Sequence, residues 1–272
     1  MQIFGWAFIL EAVAITAVNA ATIVIFTRTN RLHSKQYIMI ISQAVADLFV
    51  GLVAIPVFGV SLALNEDPRT SSTFKQVFLT TDSLFVVASM VGLAALAIER
   101  AHATYFPFRH STLSKGPYII GIILMWAAPI SVAVLYTIFD PPDAVNSKLA
   151  VTVLAVVIIV SAYSLIVFKV RYRTTQAHDV TIQENKKLTV TLAVVTTLSL
   201  VMWLPFQCLG MAGVLKGSSP FIYFPAKFLQ YGNSLVNSVV YAFRMREIKR
   251  EILRTFLCCR NNQISINNET LP

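Results

Sequence analysis

The sequence contains few charged residues for its length. Asp, Glu, Lys and Arg make up only 13% of its 272 residues, whereas soluble domains carry about 25%. So little charge excludes a soluble globule, because too few polar side chains remain to cover its surface. The 56% share of apolar residues excludes a disordered chain, which requires low hydrophobicity. The composition therefore indicates an integral membrane protein.

Cysteine is also scarce. Cys208, Cys258 and Cys259 are the only three, too few for the disulfide framework of a small secreted domain. The four histidines are scattered over predicted loops and span borders, and they form no metal or nucleophile pattern, so the sequence does not indicate an enzyme. In a membrane protein, the net charge of +9 indicates basic cytoplasmic loops rather than nucleic-acid binding.

The sequence contains several long apolar stretches. A helix needs about 20 apolar residues to cross a bilayer. Seven stretches qualify, namely residues 3–26, 37–64, 74–98, 118–139, 149–168, 188–215 and 221–243. They predict an all-α membrane protein, with a seven-transmembrane helix bundle over residues 1–243. The first stretch lacks a basic leader and is too long for a signal-peptide core, so we expect it to be retained.

The basic residues predict the orientation of this bundle. Of the 22 Lys and Arg residues, 17 lie in the loops after the first, third and fifth stretches, at their borders, and in the C-terminal tail. By the positive-inside rule, the N-terminus is extracellular and the C-terminus cytoplasmic. We expect a multi-pass protein of the plasma membrane.

The C-terminal tail follows an amphipathic segment. In residues 244–257, apolar side chains recur at helical spacing among basic ones, which predicts a helix lying in the membrane interface. Cys258 and Cys259 follow directly and form a candidate double palmitoylation site. The alternative is a pair of unmodified cysteines at the start of the 258–272 cytoplasmic tail.

Several polar residues interrupt the apolar stretches. Asp82, Ser89 and Arg100 fall on nearly one face of the third span, at about 100° per residue. Asp47 is the only acid of the second span, and an isolated buried carboxylate needs a cation, a proton or several donors. Ionisable groups inside a membrane are costly, so we interpret these residues as functional candidates.

These residues belong to a series of motifs that covers the whole chain. The series is Asn19, Val45-Ala46-Asp47-Leu48, Glu99-Arg100-Ala101, Pro107-Phe108, Trp126, Tyr163, Trp203-Leu204-Pro205 and Asn237-Ser238-Val239-Val240-Tyr241. In this order and spacing, the chain resembles a rhodopsin-like (class A) G-protein-coupled receptor. It departs from the family pattern at Ala101, Met202 and Ser238, where the family usually has Tyr, Cys and Pro.

The resemblance implies a set of residues for coupling to a G protein. Arg100 would pair with Glu99 at rest and face Tyr163, Tyr241 and a G-protein helix after opening. Phe108 would be an apolar plug against the G protein, or else a loop aromatic that faces lipid. The implied partners are an extracellular ligand, a heterotrimeric G protein, arrestin and membrane lipid.

The resemblance also implies an allosteric sodium ion and no other metal or cofactor. Its oxygen ligands would come from Asp47, Ser89, Asn233, Ser234 and Asn237, and a hard cation prefers such ligands. The alternative is a polar cluster filled with water.

The resemblance leaves more than one ligand class open. Asp82 occupies the position at which aminergic receptors hold an ammonium group, and Tyr231 matches the tyrosine that binds that aspartate. Trp203 would form the floor of the site, Phe206 an aromatic wall, and Ser147 a hydroxyl. These matches favour a small biogenic-amine-like ligand. Lys227 is the alternative partner of Asp82, or the group that recognises an anionic head group.

Other departures indicate a different branch. Lys75 stands at the usual third-span cysteine position, residues 140–148 contain no cysteine, and Ala155 replaces the fifth-span proline. These losses resemble the melanocortin, lipid and cannabinoid receptors, and the run from Tyr241 to Glu247 also occurs among adenosine-like receptors. A lipid, nucleoside or peptide ligand therefore remains an alternative.

Two further classes are less favoured. An opsin needs a lysine ten residues before Tyr241, where this chain has Tyr231, while Lys227 lies 14 residues before it. A transporter is a remote alternative, because it would show internal repeats or broken helices.

We expect ligand responses to survive a mild thiol reductant, since the chain offers no extracellular cysteine pair to tether the third span. The measurement is second-messenger output with and without dithiothreitol in cells that express the chain. Direct activation of the downstream enzyme controls for other cell proteins. A response lost on reduction, with that control intact, would refute the prediction.

Overall fold

A computed structural model describes residues 2–29, 37–63, 72–138, 141–172, 180–212 and 219–244. These ranges are almost entirely helical, which agrees with the predicted fold class. The helices are α1 (Gln2–Arg28), α2 (Ile38–Phe49), a π-helical segment (Val50–Ala54), α3 (Ile55–Ala63), α4 (Ser72–Tyr105), α5 (Pro107–Thr112), α6 (Gly116–Ile138), α7 (Pro141–Tyr172), α8 (Val180–Met211) and α9 (Pro220–Arg244). The predicted interfacial helix 244–257, apart from the backbone of Arg244, and Cys258 and Cys259 lie outside the described residues.

The described part of each predicted apolar stretch is almost entirely helical, and two helices begin well before their stretch. Helix α7 begins at Pro141 rather than at residue 149, and α8 begins at Val180 rather than at residue 188. A helix satisfies its own backbone hydrogen bonds, so it continues past the apolar layer wherever no breaker stops it. The short helix α5 was not predicted, because six residues are too few for a periodic apolar pattern.

Length and apolar composition identify six membrane-crossing helices among the described residues. They correspond to α1, the α2–α3 segment, α4, α6, α7 and α8. The seventh, α9, is 25 residues long but carries buried polar side chains on one face: Lys227, Gln230, Asn233, Ser234, Asn237 and Ser238. This polar face is what separates α9 from the other six.

Helix α4 occupies the centre of the bundle. It packs against α2, α6, α7 and α8, while α1 packs against α2, α3 and α9. Large apolar side chains on the outer faces remain exposed, for example Ile120, Leu124 and Leu154. Exposed apolar faces on long apolar helices are the surfaces that lipid tails would cover.

A π-helical turn joins α2 to α3. The backbone N–H of Ile55 donates to the carbonyl oxygen of Val50, five residues earlier. Pro56 follows directly and has no N–H of its own, which favours an irregular turn before it. Gly51 lies in this turn, where a Cβ atom would come within 2.6 Å of Thr16 Oγ1 and 2.9 Å of the Ala12 carbonyl oxygen. The turn therefore allows α1 to approach the second span closely.

We expect Gly51→Ala to lower the melting temperature of the purified protein. Its methyl group would press against the backbone of α1, and overpacking of this kind costs about 1–3 kcal/mol. Gly59→Ala is the matched control, because no atom lies within 4 Å of a Cβ at that position. Thermal unfolding of both variants in the same detergent measures the difference. Equal melting temperatures would contradict the close approach.

Candidate functional site

The carboxylate of Asp82 on α4 is the centre of a buried charged cluster. Its Oδ1 accepts hydrogen bonds from Lys227 Nζ at 2.6 Å and from the Tyr231 hydroxyl at 3.0 Å. Its Oδ2 accepts from Lys148 Nζ at 3.3 Å. Asp82 is only 2% exposed, so these donors replace the water that an ionised carboxylate would otherwise bind. We call Asp82, Lys148, Lys227, Gln230 and Tyr231 the Asp82 cluster.

Lys227 lies deep in an aromatic enclosure on α9. Its Nζ is 4.6 Å from the ring centres of both Phe206 and Tyr231, and 5.4 Å from that of Phe78. It also donates to Gln230 Oε1 at 2.8 Å. Phe206 therefore faces a cation, as expected of an aromatic wall, but this cation belongs to the chain itself. Aromatic faces and a carboxylate together stabilise a buried ammonium group.

The other two predicted ligand-site residues, Ser147 and Trp203, form no described hydrogen bond with this cluster. Ser147 is half-buried on α7, yet the bonds described for Asp82 involve its neighbour Lys148 instead. Trp203 is buried on α8, two residues before Pro205. Its indole N–H has no hydrogen-bond partner among the described residues.

A second buried acid faces the same region from α1. Glu11 shares the inward face of α1 with Phe8, Ile15 and Asn19. A Cβ atom at Gly232 would lie 3.4 Å from Glu11 Oε1, which places the carboxylate against α9. Neither oxygen of Glu11 has a hydrogen-bond partner among the described residues, although the carboxylate interacts electrostatically with Lys227.

The predicted sodium ligands form a second polar cluster around Asp47. Asp47 Oδ1 accepts from Ser89 Oγ at 2.7 Å, and Oδ2 accepts from Asn237 Nδ2 at 2.6 Å. The Ser234 side chain lies beside this carboxylate, and Asn233 Nδ2 donates to Ser89 Oγ at 3.3 Å. The structure thus brings all five residues together.

Gln43 is an additional member of this cluster. Its Nε2 donates to Asp47 Oδ2 at 3.2 Å and to Ser89 Oγ at 2.9 Å. Gly92 makes room for this amide, since a Cβ there would lie 1.9 Å from Gln43 Oε1. Gln43 precedes Asp47 by four residues on α2, and this one-turn spacing is a signal in the sequence that could have identified it.

The cluster offers oxygen atoms suited to a sodium ion. Two buried amide oxygens, Gln43 Oε1 and Asn233 Oδ1, have no hydrogen-bond partner among the described residues. Together with the Asp47 carboxylate and the Ser89 hydroxyl, they form the hard donor set that such a cation prefers. No group of three or more His, Cys, Asp or Glu side chains suited to a metal ion occurs in the described ranges.

At the opposite end of α4, Arg100 and Glu99 form a buried ion pair. Arg100 Nε and Nη2 donate to the two carboxylate oxygens of Glu99. Arg100 is fully buried, and its remaining Nη1 has no partner in the described part of the chain. His110 Nε2 lies 3.2 Å from Glu99 Oε1, a contact that the sequence analysis missed.

The other predicted coupling residues surround this pair. The Tyr163 hydroxyl lies 3.2 Å from Thr196 Oγ1. The Tyr241 hydroxyl is buried and finds no partner within the described ranges. Phe108 on α5 is 78% exposed, which leaves its ring free for contact with a partner or with lipid.

Comparison with known protein families gives one match. The family described as "7 transmembrane receptor (rhodopsin family)" matches residues 18–147. This region includes the motifs around Asn19, Asp47, Glu99 and Trp126.

Individual proteins are similar over most of the chain. Lysophosphatidic acid receptor 2 of Mus musculus is 27% identical, over 91% of this chain and 78% of the receptor. Sphingosine 1-phosphate receptor 2 of Rattus norvegicus is also 27% identical, over 94% and 77% respectively. Histamine H2 receptor of Cavia porcellus is 25% identical, over 85% and 72%.

The fold is similar to that of squid rhodopsin. The two superpose with a TM-score of 0.80, cover 94% of this chain and 85% of the rhodopsin chain, and share 17% sequence identity. The predicted seven-helix architecture is thereby confirmed.

We propose that the Asp47 cluster binds sodium, and we expect sodium chloride to raise the melting temperature of the purified protein relative to equimolar choline chloride. An ion that binds only the folded state stabilises it by about 1.4 kcal/mol at ten times its Kd. Asp47→Asn removes the charge and should abolish the difference. An equal sodium effect in both proteins would contradict the assignment.

Proposed function

We propose that the chain belongs to the rhodopsin family of seven-transmembrane receptors and that it is a plasma-membrane receptor for an extracellular ligand with an anionic head group. The family match, the similar proteins and the fold support a class A G-protein-coupled receptor rather than an enzyme. The proposed ligand class is a phospholipid-like amphiphile with a single phosphate, and the proposed output is activation of a heterotrimeric G protein.

One observation carries this choice of ligand. A single carboxylate, that of Asp82, is shared by two lysine ammonium groups. A ligand amine would have to displace Lys227, which is tethered beside Asp82 and only 1% exposed. An anionic group meets no such competition, because it binds to the lysines themselves.

The unused donors of the cluster point in the same direction. An ammonium group carries three donors, and the described bonds of Lys227 use two, to Asp82 and Gln230. Lys148 uses one, to Asp82, and its side chain is 15% exposed. The Nε2 amide of Gln230 is buried without a partner among the described residues. A phosphate offers several strong acceptors for these N–H groups.

The similar proteins support this class. Two of them are named for lysophosphatidic acid and for sphingosine 1-phosphate, and both of these molecules carry a phosphate group. The absence of a cysteine at position 75 and of a proline at position 155 also resembles the lipid branch.

The proposed orientation places the Asp82 cluster toward the extracellular side and Arg100 at the cytoplasmic border. The distribution of Lys and Arg supports it. In this orientation Phe108 and the Arg100–Glu99 pair face the G protein, with arrestin and membrane lipid as further proposed partners. Palmitoylation of Cys258 and Cys259 remains part of the proposal.

A second candidate ligand is a small amine. The Tyr231 hydroxyl bonds to Asp82, as the resemblance to aminergic receptors implies, and histamine H2 receptor is among the similar proteins. Glu11 strengthens this candidate, since its carboxylate offers a buried acceptor to Lys227 if an amine takes Asp82.

We expect Lys227→Ala and Lys148→Ala to reduce potency for a phosphate-bearing lipid by about 30-fold or more, because truncating one side of a desolvated charge contact costs about 2–5 kcal/mol. Asp82→Asn should have a smaller effect. The measurement is second-messenger output against lysophosphatidic acid, sphingosine 1-phosphate, histamine and 5-hydroxytryptamine. Surface labelling of an N-terminal tag corrects for expression.

Two controls separate ligand binding from a structural role. Lys216→Ala removes another lysine on the predicted extracellular side and should leave potency unchanged. In the double variant Asp82→Asn with Lys227→Ala, a purely structural pair would recover its response, because both fully buried charges are removed together and Lys148 remains partly exposed. Recovery, or an amine response abolished by Asp82→Asn and retained in Lys227→Ala, would contradict the anionic-ligand proposal.

A further inference from the structure

His110 on α5 touches three titratable groups of the neighbouring helices. Its Nε2 lies 3.2 Å from Glu99 Oε1 and 3.3 Å from the Tyr118 hydroxyl. Its Nδ1 lies 3.3 Å from Nδ1 of His102 on α4. The side chain is buried, so these contacts replace water around both ring nitrogens.

These contacts fix the direction of the hydrogen bonds when both histidines are neutral. Glu99 is a carboxylate and only accepts, so His110 Nε2 carries a proton and donates it. The neutral ring then has an acceptor at Nδ1, which takes a hydrogen bond from His102 Nδ1. Only one tautomer of each ring satisfies the whole chain of bonds.

His102 and His110 can take up one added proton and keep the hydrogen bond between their Nδ1 atoms. His110 becomes a cation, donates from Nδ1, and His102 changes tautomer to accept. A second proton would set two N–H groups against each other at 3.3 Å and separate the rings.

A charged His110 competes with Arg100 for Glu99. Both residues contact the same carboxylate oxygen, Glu99 Oε1. The new positive charge neutralises Glu99 and repels Arg100, since like charges in a buried site interact strongly. Arg109, on the same helix as His110, adds to this positive field, and Glu99 is the acid that contacts His110 and also acts on His102.

Tyr241 on α9 is a candidate partner for a released Arg100. Arg100 Nη1 and the Tyr241 hydroxyl are both buried and both lack a hydrogen-bond partner among the described residues. Each is a group that the other can satisfy, and leaving such groups unpaired costs free energy. The Glu99-bound position of Arg100 therefore has an alternative directed at α9.

We propose that His110 is a positioning residue for Arg100, and that its protonation exchanges the cation on Glu99 and releases Arg100 toward Tyr241. The receptor then couples more strongly at lower pH on the cytoplasmic side. This inference rests on the proposed G-protein coupling, because the released arginine is the group that would face the G protein.

The test uses the full-length receptor in lipid nanodiscs, where one buffer bathes both faces. Nucleotide exchange on a purified heterotrimeric G protein is measured without ligand between about pH 6 and pH 8. We expect exchange to rise about fivefold toward the acidic end. His110→Gln keeps a neutral donor toward Glu99 and should remain at the low level throughout. His110→Arg carries a fixed charge and should remain at the high level throughout.

A second readout does not depend on a G protein. A fluorophore on Ser111→Cys, in a variant with Cys208, Cys258 and Cys259 replaced by Ser, reports the surroundings of α5 directly. Its emission should titrate in the native background and not in His110→Gln. A fluorophore that titrates without nucleotide exchange would contradict G-protein coupling while supporting the role of His110.

The matched control is His178→Gln, which removes a histidine that precedes α8 and should retain the native pH profile. Monodisperse elution of each variant shows that it folds. An unchanged pH profile in His110→Gln, or low exchange at all pH values in His110→Arg, would overturn the proposal.

Discussion

One carboxylate, that of Asp82, joins three helices of the bundle at a single point. It lies on α4 and is bound by Lys148 of α7 and by Lys227 and Tyr231 of α9. Removing one partner of a buried ion pair costs about 3–5 kcal/mol, because the other charge is left alone. Since lipid tails are as apolar as Leu or Ile, apolar contact alone does not decide which helices meet. The charged cluster therefore fixes the relative positions of α4, α7 and α9, and the same residues form the proposed ligand site.

Other buried polar side chains also join the helices of the bundle by hydrogen bonds. Asn19 of α1 donates to the Ser234 carbonyl oxygen and accepts from Ser238 Oγ, which ties α1 to α9. Asp47 ties α2 to α4 and α9 through Ser89 and Asn237. Each such contact contributes only about 0.6 kcal/mol on average in a membrane. Acting as a series along α9, they give this helix its buried polar face.

The motif residues were predictable because helical spacing fixes which of them share a face. Asp82, Ser89 and Arg100 are all buried on α4, and the five proposed sodium ligands do meet. Helix bounds were less predictable, because hydropathy marks the apolar layer and not the polar turns that continue beyond it. The extra polar turns of α7 and α8 are examples.

The missed site residues share a physical cause. Ser147 was chosen and its neighbour Lys148 was not, because α7 lacks the proline that would set its register and one residue rotates a helix by about 100°. His110 stands on a six-residue helix, where periodicity carries no information. Gln43 depends on Gly92 of another helix, whose missing side chain makes room for its amide. Such complementarity between distant positions does not appear in any local pattern.

Several buried polar groups lack a hydrogen-bond partner and would gain one in a different packing of the helices. Glu11, Gln230 Nε2, Trp203 Nε1, Arg100 Nη1 and the Tyr241 hydroxyl are buried and unpaired in the described part of the chain. Leaving a polar group in this state costs about 1–3 kcal/mol. A packing that pairs several of them recovers free energy comparable to the ion pair it would break. These groups lie at both ends of the bundle, from the Asp82 cluster to Arg100, and a ligand that favours a packing in which they are paired would shift the population toward it by its differential affinity.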